Sequence, residues 1–359
     1  MSVTAEVLDP RYDDRPGYWT ELRERAGLRA DWSWAVLSRQ AWCARTYQPV
    51  TVLKDGDDVR GVVCAAWVTG GTRRHRFARA GAGLGLLGGL DVRAPGTSAT
   101  PGWWFADAGA DGGVRELLDG YARAMRAELG VRFRAMLVRQ VGEEAVETVS
   151  GRLRLVRRTE DIAVLDLTGF GERADWLASL AKTRRNNLRK IYRDIEADTS
   201  LAIDVVPGRD ADVLTVAELL RHNEVKHRDV PIVPLPQFIG YLAALLAEPD
   251  VVVIRYTEKV SGKLIAVAIV LDDPARPIVR HWSALPVEAG GKPNLYFHFY
   301  GEAVRWAIAN GRASVVFGKK MTEMKATLGA RLVPQYAAAV PVLASRRLAR
   351  RASGEPSCR

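Results

Sequence analysis

The chain has 359 residues, of which 48% are hydrophobic and 26% charged, and this length accommodates two ordinary domains. No apolar run approaches the ~18 residues of a membrane span, and the N-terminal residues lack the apolar segment of a signal peptide, so we expect a cytoplasmic protein. The net charge of +10 favours an anionic partner, such as nucleic acid, coenzyme phosphates or an acidic surface.

Two local features of composition qualify these statements. Cys43, Cys64 and Cys358 are few and widely spaced, which argues against a disulfide framework or a zinc site. Residues 346–359 are basic and rich in small polar side chains, so we expect a disordered basic tail that carries part of the positive charge.

The first half of the chain begins with a predicted β-hairpin. Its strands cover 50–54 and 59–68, and the turn Asp55-Gly56-Asp57-Asp58 joins them. Hydrophobic periodicity then predicts these elements: a helix over 114–129 and strands over 133–138 and 162–167.

The second half repeats this order of elements about two hundred residues later. A helix over 182–196, a strand over 201–206 and helices over 211–221 and 236–247 precede a second hairpin, with strands at 251–256 and 263–271. The remaining predicted elements are a strand over 278–284, a helix over 296–309 and strands over 314–318 and 336–342. The halves therefore resemble copies of one unit, and we predict an α/β (α+β) protein with two mixed, mostly antiparallel sheets flanked by helices.

A lysine-rich segment over 317–329 follows the predicted strand 314–318. Only 10 of the 52 basic residues are lysine, yet Lys319, Lys320 and Lys325 lie in this segment. The carboxyl end of a strand is where open α/β sheets place ligands, and lysine binds phosphate as a compact charge. A merely solvated charged turn is the alternative.

The predicted helix over 182–196 carries a basic stripe. Leu188, Ile191, Tyr192 and Ile195 share one face, and Lys182, Arg185, Arg189 and Arg193 lie beside it. This density of charge favours phosphate contact, with a solvated face as the alternative. Arg184 falls near the apolar face, from where it is expected to point into a site.

The segments Arg184 to Arg189, Gly290 to Leu295 and Phe317 to Gly329 together resemble the tandem acyltransferases of the GNAT superfamily that include the Fem aminoacyl-tRNA-dependent transferases. In that group a basic R-x-N-x-R-like helix opens the second domain. A P-G-like turn starts the penultimate helix, and a strand ending in Gly precedes a K-x-x-x-G-like element. Asn294 and Met324 depart from this pattern.

The resemblance implies an N-terminal GNAT-like domain at 1–168 and a C-terminal catalytic domain at 169–345, ahead of the tail. It also implies amide formation from an activated acyl donor, with an oxyanion stabilised by backbone N–H groups near a splayed strand. The coenzyme-A signature R/Q-x-x-G-x-G/A is not visible in either half, so we favour aminoacyl-tRNA as donor, with no separate cofactor. Acyl-CoA is the alternative donor, and a non-catalytic RNA-binding protein is a further alternative.

A G-x-G-x-x-G match at Gly83 to Gly88 carries no such implication. A dinucleotide fingerprint needs a buried strand before the glycines and a helix after them. The flanking sequence predicts neither element, so we interpret the match as part of a glycine-rich connection.

Candidate site residues follow from these predictions. Lys325 is the candidate cation for the donor's phosphate or for the developing oxyanion. Glu224 or His227 is the candidate base that takes a proton from the amine, with a merely polar surface loop as the alternative. The candidate donor-binding residues are Arg184, Arg185, Arg189, Gly318, Lys319 and Lys320. The candidate residues for a small-molecule or peptide amine acceptor are His281, Ser283, Asn294, Tyr296 and His298.

Overall fold

The computed structural model describes residues 3–43, 46–69, 87–96, 99–106, 113–151, 153–226 and 235–342. The chain divides into two compact units. The first comprises Met1–Ala26, Gln40–Glu160 and Pro334–Arg359, and the second comprises Gly27–Arg39 and Asp161–Val333. His227 and most of the Gly83 to Gly88 match lie outside the described residues.

The elements up to residue 160 include the predicted hairpin, helix and strand in the predicted order. In chain order the elements of this part are β1 (Val3–Leu8), α1 (Trp19–Arg25), α2 (Trp34–Cys43), β2 (Val50–Asp55), β3 (Asp58–Thr69), β4 (Gly88–Val92), β5 (Trp103–Phe105), α3 (Gly113–Leu129), β6 (Phe133–Val141), α4 (Val146–Val149) and β7 (Leu155–Arg158). Of these, β1, α1, β4, β5, α4 and β7 are not predicted, and β4 lies in the stretch that the sequence interpretation assigns to a glycine-rich connection. The hairpin β2–β3 is confirmed, with Val50 opposite Cys64.

The later elements include the predicted ones. In chain order they are β8 (Ile162–Asp166), α5 (Arg173–Ser179), α6 (Lys182–Glu196), β9 (Leu201–Pro207), α7 (Val213–Lys226), α8 (Leu235–Leu246), β10 (Val251–Glu258), β11 (Leu264–Leu271), β12 (Ile278–Ala284), α9 (Leu295–Ala309), β13 (Ser314–Gly318), α10 (Thr322–Thr327), β14 (Arg331–Val333) and β15 (Tyr336–Pro341). Of these, α5 and β14 are additional to the prediction. Helix α7 continues beyond the predicted end at 221, so Glu224 lies on a helix and not in a loop.

Two sheets form from these strands in the described part of the chain. The first has the order β1-β2-β3-β4-β6-β15-β7, with β5 paired to β3, and the second has the order β14-β8-β13-β12-β11-β10-β9. The division differs from the predicted boundary at 168/169, because β8 pairs with β13 and β14 in the second sheet. The last strand, β15, pairs with β6 and β7 in the first sheet.

The two units share one topology, as the predicted repeat implies. In the first, β2, β3 and β4 are antiparallel neighbours, and β6 follows helix α3 and lies parallel to β4. In the second, β10, β11 and β12 are antiparallel neighbours, and β13 follows helix α9 and lies parallel to β12.

Helices cover both faces of the second sheet. One face carries α5, α6 and α9, whose side chains share a core with Ile254, Tyr256 and Ala268 of the sheet. The other face carries α7 and α8, which contact β10, β11 and β12. Helices α6 and α9 approach closely at Gly301, where a Cβ would overlap the Tyr192 hydroxyl. Glycine is therefore required at this crossing.

In the described part of the chain, none of the helices combines the length and the apolar character that a membrane span requires.

Candidate functional site

The parallel strands β12 and β13 diverge towards their carboxyl ends. They pair at a single position, Ile278 with Val316, after which β12 continues to Ala284. The equivalent strands of the first unit, β4 and β6, pair at five positions from Gly88 to Val92. The second sheet therefore opens where α/β sheets place ligands, and the first does not.

A strained turn follows β13 at this opening. Gly318, Lys320 and Met321 have φ values of 71°, 62° and 49°, a region that residues other than glycine rarely adopt. Lys320 and Met321 are exposed, so the strained backbone lies at the surface of the second unit.

Lys325 packs under this turn and hydrogen-bonds to its backbone. Its side chain is buried, and its ammonium donates to the carbonyl oxygens of Phe317 at 2.7 Å and Lys319 at 2.8 Å, with the Gly318 carbonyl at 3.4 Å. Charged hydrogen bonds of this kind stabilise a backbone that would otherwise relax. The ammonium faces the backbone of the turn, so the geometry gives Lys325 a positioning role, and its predicted contact with the donor stays a prediction.

The start of α9 lies at the same edge as the turn, because α9 connects two parallel strands. Asn294 precedes the helix with a φ of 63°, and Tyr296 packs edge-on against Trp282 with 5.8 Å between ring centroids. Burial raises the pKa of Tyr296 to about 12, so its hydroxyl stays protonated. The Arg184 guanidinium lies 5.8 Å from the ring centroid of Phe297. This edge thus brings together Arg184, Asn294, Tyr296 and the lysine turn.

His281 and Ser283 point to the other face of the sheet. They pair with Ile269 and Val267, and the Ser283 hydroxyl donates to the carbonyl of Leu219 on α7 at 2.7 Å. Trp282, between them, instead stacks on Phe299 of α9 with ring centroids 4.5 Å apart. Ser283 is fully buried, so it belongs to the core. The predicted acceptor residues are therefore divided between two faces, because neighbouring strand residues alternate.

His298 lies on the side of α9 that packs against the sheet. Its side chain is buried, and its Nδ1 lies 3.0 Å from the Tyr256 hydroxyl. Burial lowers the pKa of His298 despite the nearby Glu302 and Glu196, so the imidazole is neutral at neutral pH. This histidine is a core residue in the structure.

An arginine joins the carboxylates next to His298. Arg173 donates to Glu302 at 2.8 Å and to Glu196 at 2.7 Å, and Arg305 binds the second oxygen of Glu302. Glu196, His298 and Glu302 have ligand atoms within 4.8 Å of one another, a spacing that suits a metal ion. Arg173 and Arg305 together already balance the two carboxylates, so the arrangement fits a structural ion-pair network.

The basic stripe of α6 is only partly available to a partner. Arg185 donates to the carbonyls of Ala178 and Leu180 at 2.8 and 3.2 Å, which satisfies the end of α5. Lys182, Arg189 and Lys190 are exposed and form no ion pair with residues that the structure describes. These three cations are the ones that a phosphate backbone would meet.

Glu224 lies in an ion pair. Its carboxylate accepts from Arg221 at 2.5 Å, and the Arg221 guanidinium lies 4.3 Å from the ring centroid of Phe238. The predicted role of Glu224 or His227 as the base remains a prediction.

The sequence interpretation missed Asp31. This residue belongs to the short segment of the second unit that precedes α2, and only 2% of its surface is exposed. Burial raises the pKa of Asp31 to about 7, although Arg280 and Arg29 oppose the increase and Asp250 adds to it. The sequence around it resembles a core segment, so nothing in its pattern indicated a buried carboxylate.

Asp31 predicts a pH dependence of stability. Its pKa in the folded state lies above its ordinary value of 3.8, so the folded protein holds a proton that the unfolded chain has lost. The free energy of unfolding therefore decreases as pH rises from about 4 towards 7. We expect Asp31→Asn to raise the melting temperature more at pH 8, where the buried carboxylate is ionised, than at pH 5. The difference in unfolding free energy between the two proteins should grow by at most about 3 kcal/mol from pH 5 to 8, since about two pH units separate pH 5 from the folded pKa and each is worth ~1.4 kcal/mol. Melting curves of both proteins between pH 5 and 8 check this, and a constant difference contradicts it.

Solved structures share the fold. FemX aligns over 96% of this chain and 99% of its own, with 9% identity and a TM-score of 0.61. The C-terminal domain of a protein described as a lysylphosphatidylglycerol synthetase from Agrobacterium fabrum aligns over 92% and 95%, with 14% identity and a TM-score of 0.57. L-PGS from Bacillus licheniformis aligns over 90% and 91%, with 10% identity and a TM-score of 0.57. No protein-family model and no curated protein sequence matches the chain.

These similarities confirm the predicted resemblance at the level of the fold. The chain has two mixed sheets flanked by helices, in the arrangement of FemX and the lysylphosphatidylglycerol synthetase domain. Identities of 9–14% establish architecture alone, so the function is argued from the site.

Proposed function

We propose that the protein is an amide-forming acyltransferase that transfers an aminoacyl group from aminoacyl-tRNA to an amine of a small molecule or peptide. The observation that carries this proposal is the opening between β12 and β13, whose counterpart in the first unit is closed by five pairs from Gly88 to Val92. An acyl group placed in the opening meets strand N–H groups that no longer pair with a neighbouring strand.

The chemistry follows from that placement. The neutral amine attacks the ester carbonyl carbon, the carbonyl oxygen becomes negative, and preorganised N–H donors stabilise the charge. As the new C–N bond forms, the bond between the carbonyl carbon and the ribose oxygen of the tRNA breaks, and the proton that the amine loses passes through a base to that leaving hydroxyl. The Lys325 ammonium fixes the turn after β13, and so fixes where Lys319 and Lys320 project. Arg184 and the start of α9 lie at the same edge, where a positive end of a helix favours anionic groups of the donor.

The exposed cations of α6 support tRNA as the donor. Lys182, Arg189 and Lys190 lie on the solvent side of a helix whose other face is core. Acyl-CoA has only a few phosphate charges, whereas a tRNA backbone engages a whole stripe of cations.

We expect tRNA binding to weaken steeply with salt. Each phosphate contact contributes about 0.7–0.9 to the slope of log affinity against log salt, so Arg189→Ala should flatten the slope by about that amount. Arg185→Ala should chiefly lower the melting temperature, because Arg185 satisfies carbonyls at the end of α5. Filter binding at four salt concentrations measures the slopes.

Lys259→Ala is the matched control, since Lys259 is an exposed lysine in the β10–β11 turn of the same unit. Its slope should equal that of the wild type. Equal slopes for Arg189→Ala and the wild type contradict a tRNA contact at α6.

A further inference from the structure

The ion-pair network between α6 and α9 leaves one buried polar atom unsatisfied. His298 is only 1% exposed, and its Nε2 has no hydrogen-bond partner among the residues that the structure describes. The closest approach to a carboxylate is 3.9 Å, to Oε1 of Glu196, which is too long for a hydrogen bond. A buried nitrogen without a protein partner is costly, so it marks a position where a ligand would bind.

Three side chains from two helices approach this position. His298 and Glu302 are four residues apart on α9, so they share one face of the helix. Glu196 is the last residue of α6, which packs against α9. The ligand atoms of the three residues all lie within 4.8 Å of one another. One imidazole and two carboxylates on adjacent helices are a typical set of metal ligands.

The other atoms of these side chains are already held in place. The Tyr256 hydroxyl lies 3.0 Å from Nδ1 of His298, so Nε2 is the nitrogen that remains for a ligand. Arg305 donates to Oε2 of Glu302, from Nε at 3.0 Å and also from Nη2. Metal ligands in proteins have such outer hydrogen bonds, which orient the ligands and fix the histidine tautomer. The site is therefore built from its outer contacts inwards.

Arg173 is the cation that a metal ion would replace. It donates to Oε1 of Glu302 at 2.8 Å and to Oε1 of Glu196 at 2.7 Å, so its guanidinium joins the two carboxylates. Its side chain is 22% exposed and lies over the ring of Tyr192, 4.7 Å from the centroid. From this position the guanidinium can turn towards solvent. The ion-pair network is thus compatible with the exchange of one cation for another.

The ligand types select the metal. An imidazole nitrogen favours zinc, whereas Mg²⁺ and Ca²⁺ prefer sites built from oxygen atoms. Atoms bound to a tetrahedral zinc ion lie about 3.3–3.6 Å apart, so the three groups must approach by roughly 1 Å from their present spacing. The side chain of Glu196 is 47% exposed at the end of its helix, so it is the ligand that moves.

We propose that Glu196, His298 and Glu302 bind one Zn²⁺ ion between α6 and α9, in exchange for Arg173. The ligands are Nε2 of the imidazole and one oxygen of each carboxylate, and water takes the fourth position. The bound ion ties the end of α6 to α9, whose start borders the opening between β12 and β13. This inference is independent of the proposed function, since the site needs neither tRNA nor an acyl donor.

Titration calorimetry of the metal-free, tag-free protein with Zn²⁺ tests the proposal. We expect one ion per chain and a melting temperature that rises with Zn²⁺ concentration, because the ion binds the folded protein. Mg²⁺ and Ca²⁺ at the same concentrations should leave the melting temperature unchanged. Asp194→Asn is the matched control, since Asp194 is an exposed carboxylate of the same helix, and this variant should bind Zn²⁺ as the wild type does.

Ligand variants locate the ion. Glu196→Gln and His298→Gln should each weaken Zn²⁺ binding by roughly 100-fold or more, because even the outer partner of a metal ligand contributes about 10- to 100-fold to affinity. Because Glu196 is partly exposed, Glu196→Gln keeps the test valid if His298→Gln fails to fold.

Arg173→Met distinguishes a metal site from a purely structural network. It should bind Zn²⁺ more tightly than the wild type, by roughly 10-fold, because the ion no longer has to break charged hydrogen bonds. Zn²⁺ should also raise the melting temperature of Arg173→Met by more than it raises that of the wild type. A purely structural network instead predicts a less stable variant whose stability Zn²⁺ does not restore.

Three results overturn the proposal. The wild type binds no stoichiometric Zn²⁺, the binding persists unchanged in Glu196→Gln and His298→Gln, or Arg173→Met loses stability without a gain in Zn²⁺ affinity. These measurements use neither tRNA nor acyl donor, so their outcomes are separate from those of a transfer assay. Absence of transfer together with Zn²⁺ binding contradicts only the proposed function.

Discussion

Lys325→Met should reduce the single-turnover rate of aminoacyl transfer by about 10²-fold, the effect of a displacement of about 1 Å in a site. The substitution keeps the apolar stem and removes the ammonium that joins the carbonyls of Phe317 and Lys319. A buried carbonyl, that of Phe317, and a partly buried one, that of Lys319, then lose this partner, at up to about 1–3 kcal/mol each, so the melting temperature should also fall by several degrees. Lys325→Arg should recover little, because the planar guanidinium is larger than the ammonium.

The rate is measured with saturating donor at a temperature where every variant is folded. Lys320→Met is the matched control, since Lys320 is exposed in the same turn, and we expect a milder effect, mainly on donor affinity. A Lys325→Met protein that melts and transfers like the wild type contradicts the positioning role.

Glu302→Gln should lower the free energy of unfolding by about 2–3 kcal/mol. Breaking a buried ion pair usually costs 3–5 kcal/mol, roughly, and the partial exposure of Arg305 reduces the loss here. Glu302 is only 4% exposed and accepts hydrogen bonds from Arg173 and Arg305, so the change leaves two guanidinium groups poorly paired. Urea unfolding of the wild type and of Glu302→Gln measures the difference in the free energy of unfolding.

Glu196→Gln tests the exposed carboxylate of the same ion-pair network. Glu196 binds the same arginine, but 47% of its side chain is exposed, so we expect a loss of about 1 kcal/mol or less. Equal losses for the two variants would contradict the view that burial of Glu302 makes this pair important.

The sequence predicted the elements well because their periodicity is strong. Helix α6 has the predicted bounds, and the two hairpins lie where turn residues separate apolar runs. The sheet assignment of β8 and β15 was not predictable in this way. The sequence of a short apolar strand indicates that the strand is buried but not which strand it pairs with. The pairing of β8 in the second sheet and of β15 in the first therefore has no local sequence signal.

The site was predicted less completely, for reasons that particular residues illustrate. Lys325 was expected to face a donor, but its distance from the carbonyls of the turn depends on backbone angles that the sequence does not specify. Ser283 and His298 look polar in sequence and are core residues in the structure, since burial depends on packing between distant elements. Asp31 was missed because its burial, and the charges of Arg280 and Arg29 that act on it, arise only in the tertiary fold.

Transfer of an aminoacyl group from tRNA to an amine is the activity that we propose for this protein. The most direct measurement supplies radiolabelled aminoacyl-tRNA and, in parallel, radiolabelled acyl-CoA, with a panel of small-molecule amines and peptides as acceptors. It counts alkali-stable product, because an amide survives the mild base that cleaves the ester donor. We predict product from aminoacyl-tRNA that disappears after RNase treatment, and little from acyl-CoA. Transfer from acyl-CoA at full rate with RNase-treated protein would contradict the tRNA assignment, and no product from either donor would contradict the proposed activity itself.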